Sequence, residues 1–208
     1  MHKGLNAASM KRLNRLAALR KIATEGGTMR IALAKSLGLT KMSSTNVIND
    51  LLQSGYVTEG STTGDHKVGR NPIPLTIADT APKSIGIWIS RDHVSLAVCD
   101  LTLKTLFTRE LPLRDETEES IREKLVTLTA EALPYAQPAL GIGIAMIGPI
   151  DAGTGELVNP KGFFHLRRLN VRAPLVSSFA LPVLVNNDMN CAALAESMYG
   201  IYRNYQDL

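Results

Sequence analysis

The sequence holds two cysteines, Cys99 and Cys191, far apart in the chain. They form no Cys-x-x-Cys pair and no Cys/His cluster, so neither a disulfide framework nor a zinc site is expected, and no metal is assigned. Both thiols read as small buried hydrophobes of a protein kept reduced. Long apolar runs are missing too. The longest, Ala139–Ile150, is broken by three glycines and a proline and is too short to span a bilayer. Met1–Lys21 mixes charge with short apolar steps and lacks the apolar core of a signal peptide. These absences point to a cytoplasmic protein with no membrane partner. What is present is ordinary for a globular chain: 208 residues, 45% hydrophobic and 20% charged, enough for one large domain or two small ones.

Charge is unevenly placed. Residues 1–72 carry 11 Lys/Arg against 4 Asp/Glu, and the remainder carries 12 against 15. A basic front end on a mildly acidic body suits an anionic partner for the front end alone, although a solvated basic helix surface gives the same balance.

The front end reads as a run of helices followed by a hairpin. Ser9–Thr24 is an amphipathic helix in which Leu13, Leu16, Leu19 and Ile22 recur among Lys11, Arg12, Arg15, Arg20 and Lys21, and Gly26-Gly27 ends it. Thr28 is placed to cap a second short helix through Ser36. Leu37-Gly38-Leu39-Thr40 supplies a tight helix–helix turn, with glycine free to take left-handed backbone. A third helix follows to Gln53, with Val47, Ile48, Leu51 and Leu52 as its inner stripe. Lys41, Ser43, Ser44, Asn46 and Asn49 are assigned to its outer side or start. Short hydrogen-bonding side chains on the first half of a helix are what base edges in the major groove require. Two strands, Tyr56–Glu59 and Ile73–Ile77, enclose a polar loop with His66, Lys67 and Arg70, whose basic tip suits phosphate or minor-groove contact. Helix, helix, glycine turn, polar-faced helix and basic hairpin together describe a winged helix-turn-helix over residues 1–78. Lys67 and Arg70 join the DNA-contact set, and the partner is a double-stranded DNA operator. The competing structure is a small helical bundle whose polar third helix faces water.

Beyond the linker Ala78–Pro82 the pattern changes. Ser84–Ser90, His93–Asp100 and Lys104–Leu111 form a strand meander. Glu116–Tyr135 is a helix, and Ala139–Met146 is an apolar run typical of a strand buried on both faces. A small hairpin spans Asp151–Val158. A short helix over Arg172–Phe179, a buried strand over Pro182–Val185 and a helix over Asn190–Tyr202 complete the chain. The order is βββαβαβα, which predicts an α/β fold, the first lobe of an actin/hexokinase-like domain, behind an α+β winged helix.

Two stretches carry a resemblance to a known family. They are Gly141-Ile142-Gly143-Ile144-Ala145 with Gly148-Pro149, and Asn186-Asn187-Asp188-Met189-Asn190-Cys191-Ala192-Ala193-Leu194-Ala195-Glu196. With the element order, they resemble the ROK family of repressors, open reading frames and sugar kinases. Gly69-Arg70-Asn71-Pro72 is similar to the wing of ROK repressors. The resemblance implies that residues 84–208 are the first lobe of a truncated effector domain, either a shortened product or a fragment, because the family pattern continues with a second lobe. An open face left toward that lobe implies self-association, so a homodimer is expected.

The same resemblance implies that Asn187 and Asp188 contact sugar hydroxyls at the crevice where a strand ends and a helix begins. Asn159, in the loop Asn159–Phe164, is a further contact. An ordinary helix N-cap is the other role for this pair. Where ROK kinases carry an Asp-x-Gly-Gly-Thr phosphate segment, this chain reads Trp88-Ile89-Ser90-Arg91-Asp92-His93. Without those glycines the backbone is shielded from phosphate, so neither a nucleotide cofactor nor enzymatic activity is expected. Arg167, Arg168 and Arg172 read as solvated charge. The expected function is a sequence-specific transcriptional regulator of carbohydrate metabolism, by preference a repressor, answering a sugar or sugar phosphate. The alternatives are a ROK-type sugar kinase with an appended DNA-binding domain, and a truncated regulator without effector response.

Overall fold

The computed structural model describes residues 6–60, 74–151 and 153–201. The chain divides into two compact units, Met1–Ala81 and Pro82–Leu208.

In the first unit, helix α1 (Ala7–Thr24) starts on Asn6, whose side chain accepts from the Ser9 amide at 2.8 Å. The leucine series expected to face inward does not do so as a set. Leu13 and Leu16 are 47% and 53% exposed, while Ala18, Ile22 and Ala23 are buried. Steps of three residues fall about 60° short of a full helical turn each, so Leu13 and Ile22 end on opposite sides of the helix. Gly27 then takes φ +129°, and an added Cβ would lie 3.3 Å from the Leu75 carbonyl oxygen, so the chain crosses strand backbone closely here.

Thr28 was expected to cap the second helix. Instead Thr28–Met29 is a two-residue strand, β1, and helix α2 (Arg30–Ser36) begins after Met29 without a side-chain cap. Pairing of Thr28 with Leu75 outcompetes the cap. After Gly38 at φ +61°, Thr40 caps helix α3 (Lys41–Gln53), accepting from the Ser43 amide at 3.2 Å. Strands β2 (Val57–Glu59) and β3 (Pro74–Ile77) complete an antiparallel sheet of order β1-β3-β2. Ala18, Ile22, Leu33, Val47, Ile48, Leu51, Val57 and Leu75 make the core. Two ion pairs lash its edges: Lys11–Asp50 at 2.7 Å between α1 and α3, and Arg30–Glu59 at 2.6 Å between α2 and β2.

The second unit opens with the expected meander: β4 (Lys83–Ile89), β5 (His93–Cys99) and β6 (Thr105–Pro112). Thr117 and Ser120 form a reciprocal capping box at the start of α4 (Glu118–Ala132), and a 3-10 turn, Leu133–Ala136, leads into β7 (Ala139–Met146). A small antiparallel sheet follows, made of β8 (Ile150–Asp151), β9 (Glu156–Val158) and β10 (Arg168–Asn170); the last strand has no counterpart in the sequence reading. Then come α5 (Arg172–Phe179), β11 (Val183–Asn187) and α6 (Asp188–Tyr199). The main sheet runs β11-β7-β4-β5-β6, with β4, β7 and β11 parallel.

One face of that sheet is dry. Ile85, Ile87, Ile89, Val94, Leu96, Val98, Ile142, Ile144, Met146 and Val183 pack with Ile121, Leu125 and Leu128 of α4 and Leu175 of α5. β7 and β11 are therefore buried on one face and not on two. The opposite face carries Gly86, Trp88, Gly143 and Leu184 along a groove of ≈ 1040 Å³, with Cys191 and Leu194 of α6 beside it. Leu184 is 76% exposed. Among the described residues no helix is long and apolar enough to cross a membrane.

Candidate functional site

The residues assigned to DNA contact divide sharply once α3 is built. Lys41, Asn46 and Asn49 are exposed, and Ser43 is half-buried with its hydroxyl hydrogen-bonded to that of the capping Thr40 at 3.0 Å. Ser44 is a correction. It is 4% exposed and belongs to the inner stripe with Val47, Ile48 and Leu51. The spacing 44, 47, 48, 51 is the i, i+3, i+4, i+7 pattern of a buried helix face. The opposite face shows what the sequence reading left out: Met42, 77% exposed, Thr45 and Gln53 stand with Asn46 and Asn49. The same periodicity, counted outward, identifies them. Asn46, Asn49 and Gln53 also line a groove of ≈ 580 Å³ with Lys11 and Asn14 of α1. A hydrogen bond from Lys11 holds the Asp50 carboxyl below the usual carboxylate range. Lys67 and Arg70 lie outside the described residues, as does most of the loop assigned to the wing.

In the second unit, Asn187 is the last residue of β11 and the N-cap of α6, and its side-chain oxygen accepts from the Met189 amide at 3.0 Å. Asp188 accepts from the same amide at 2.9 Å. Capping falls to Asn187 with Asp188 in the first turn, where its negative charge suits the helix dipole. Both side chains are half-buried. Gly148 packs closely beside them: a Cβ there would lie 3.2 Å from the side-chain Nδ2 of Asn187. Burial and the nearby Asp188 push the Cys191 thiol up, which makes it a poor nucleophile.

Asn159 lies elsewhere. It is exposed, at φ +46°, and its amide donates to the Arg167 carbonyl at 2.7 Å, closing the loop that follows β9. With Asp115, Glu116, Lys161, Phe164 and His165 it lines a cavity of ≈ 760 Å³ to which neither Asn187 nor Asp188 contributes. Glu116 is buried. Burial raises its pKa, but hydrogen bonds from Lys124, Ser120 and the Arg114 amide outweigh that and hold it below the usual carboxylate range. Among the described residues no group of three or more His, Cys, Asp or Glu is arranged to hold a metal ion.

The turn between β4 and β5 is filled by its own side chains. The Ser90 hydroxyl oxygen accepts from the amides of His93 at 3.0 Å and Asp92 at 3.3 Å, while the Ser90 amide donates to the His93 carbonyl at 2.9 Å. Three of the turn's amides, those of Ser90, Asp92 and His93, are thus taken internally.

Residues 84–208 match the ROK family. The chain belongs to it. Over 208 residues it is 26% identical to the xylose repressor of Caldicellulosiruptor bescii, an alignment covering 98% of this chain and 52% of that protein. Over 209 residues it is 24% identical to the DNA-binding transcriptional dual regulator NagC of Escherichia coli K12, covering 97% of this chain and 50% of that one. The fold is shared with a ROK family transcriptional regulator homologous to the E. coli MLC protein, at a TM-score of 0.69 and 20% identity over 91% of this chain and 49% of that one. The chain spans about half the length of the curated relatives it matches.

Proposed function

We propose that this ROK chain is a sequence-specific DNA-binding transcriptional regulator of carbohydrate metabolism, by preference a repressor. Its first unit is read as a winged helix-turn-helix, and its second as the first lobe of a domain that receives a sugar or sugar phosphate. The observation that carries the reading is the outer face of α3, where Lys41, Thr45, Asn46, Asn49 and Gln53 stand free of the core behind a capped N-terminus. Asparagine and glutamine amides carry a donor and an acceptor in one plane, the pairing that adenine offers in the major groove. Repressor names among the relatives support the same reading.

Two such units, one per protomer of a homodimer, fit a palindromic operator. A sugar held at Asn187 and Asp188, or in the separate cavity that Asn159 lines, weakens that binding by favouring a second arrangement of the protein. The reading excludes kinase activity: the Ser90–His93 turn lacks the glycines of a phosphate segment and takes its Ser90, Asp92 and His93 amides internally. Phosphorylation of a hexose or xylose at the expense of ATP would overturn that exclusion.

The direct test is fluorescence anisotropy of the full chain with a labelled duplex from upstream of its own reading frame. Tight binding that weakens with salt, and that D-xylose or N-acetylglucosamine reverses, is the expected result. Binding no tighter than to a scrambled duplex overturns the proposal.

A further inference from the structure

The loop that carries Asn159 is held from outside itself. Phe163, 1% exposed, anchors its middle in the core, and the Asn159 amide closes its ends onto Arg167. Between these points the cavity wall holds unusual backbone: Asn159, Phe164 and His165 take φ of +46°, +48° and +58°, and Asp115 on the facing wall takes +49°. Asn, Asp and His enter this region more readily than other non-glycine residues, whereas a bulky residue such as Phe164 does so when its surroundings hold it there, and residues so held gather at ligand sites.

The β4–β5 turn does the holding on both walls. The Arg91 guanidinium donates through one nitrogen to the carbonyls of Lys161 and Gly162, the latter at 3.2 Å. The Asp92 carbonyl accepts from the Leu113 amide at 2.7 Å, just before Asp115 and Glu116. The turn is itself stiff, since the Asp92 carboxylate lies 2.7 Å from both the Ser90 hydroxyl and the His93 ring nitrogen. Among the described residues no carboxylate forms an ion pair with Arg91, so its charge is spent on the two loop carbonyls.

We propose that Arg91 is a positioning residue for the ligand pocket: it fixes the Lys161–Gly162 peptide and so sets how Asn159, Phe164 and His165 face a polyhydroxyl ligand in the cavity. The ligand part rests on the reading of Asn159 as an effector contact; the bracing part does not. Arg91 touches the loop and not the ligand, so its effect on affinity passes entirely through loop geometry.

The test compares the full chain with Arg91→Ala and Arg91→Lys by hydrogen–deuterium exchange and by calorimetric titration with D-xylose and N-acetylglucosamine. In Arg91→Ala, exchange across residues 159–166 rises about tenfold, while exchange across β4 and β5 stays at the wild-type level. The sugar that binds wild type binds this variant about tenfold more weakly. Arg91→Lys, which keeps a cationic hydrogen-bond donor at this position, is expected to return both exchange and affinity most of the way to wild type. Unchanged exchange in Arg91→Ala overturns the brace. Faster exchange with unchanged affinity overturns the positioning role. If neither sugar binds wild type, the effector reading fails by itself, and the exchange rates still decide for or against the brace.

Discussion

Ser44 and Asn46 are both short polar residues on α3, two positions apart, and they point in opposite directions because each residue turns the helix by about 100°. The difference predicts opposite phenotypes. Asn46→Ala should leave thermal unfolding essentially where it is and weaken operator binding by about 1–3 kcal/mol, as loss of a bidentate base contact does. Ser44→Lys should act on stability first, because it forces an ammonium into the space between Val47, Ile48 and Leu51, at a cost of about 3 kcal/mol or more. Circular dichroism melts beside anisotropy titrations separate the two. Glu116 offers a second test at this scale. Its folded pKa lies below the ordinary value of 4.5, so its contribution is present above about pH 4.5 and is lost as pH falls through the folded value. Glu116→Gln should therefore lower the denaturation midpoint at pH 7 and narrow the gap to wild type under acid conditions. Equal loss at every pH would contradict that linkage.

At the scale of elements, what the sequence disclosed follows from which forces are local. α5 and β7 fall at the residues read from the sequence, because a helix of about two turns and a Gly/Ile alternation are written in adjacent positions. Burial of β7 and β11 on one face only was not legible, because apolar composition does not say how many faces of a sheet are covered. α4 and α5 cover one face, and Leu184 stays open on the other. The strand at Thr28 and the contact of Arg91 with Lys161 depend on partners dozens of residues away, and nothing near either residue announces them. Asn187 is the N-cap of α6 and, under the proposed function, also a sugar contact. As N-cap of α6 it is worth about 1 kcal/mol, so Asn187→Ala should destabilise by that amount. Asn187→Ser keeps a capping oxygen and removes the amide. It should unfold like wild type and still lose affinity for sugar. If Asn187→Ser binds sugar normally, the residue is a cap and nothing more.

At the scale of the whole molecule, the deciding quantity is where the charge sits. Eleven of the 23 Lys/Arg lie within residues 1–72 against four acids, while the remainder is acidic on balance. A polyanion is thus attracted by one unit and mildly repelled by the other, which orients the encounter before any base is read. Binding through phosphates releases condensed counterions, so log K should fall linearly with log salt at a slope of about −0.9 per phosphate neutralised. Removing one exposed cation from the end of α3, Lys41→Ala, should reduce the steepness by about one unit and weaken binding to operator and scrambled duplex alike. Asn46→Ala should do the reverse, leaving the slope unchanged while eroding the preference for operator. Slopes measured for both variants on both duplexes therefore distinguish a phosphate clamp from a base reader within one helix. A salt-independent affinity, or equal slopes for wild type and Lys41→Ala, would mean that the basic front end is a solvated surface and that α3 does not lie against DNA.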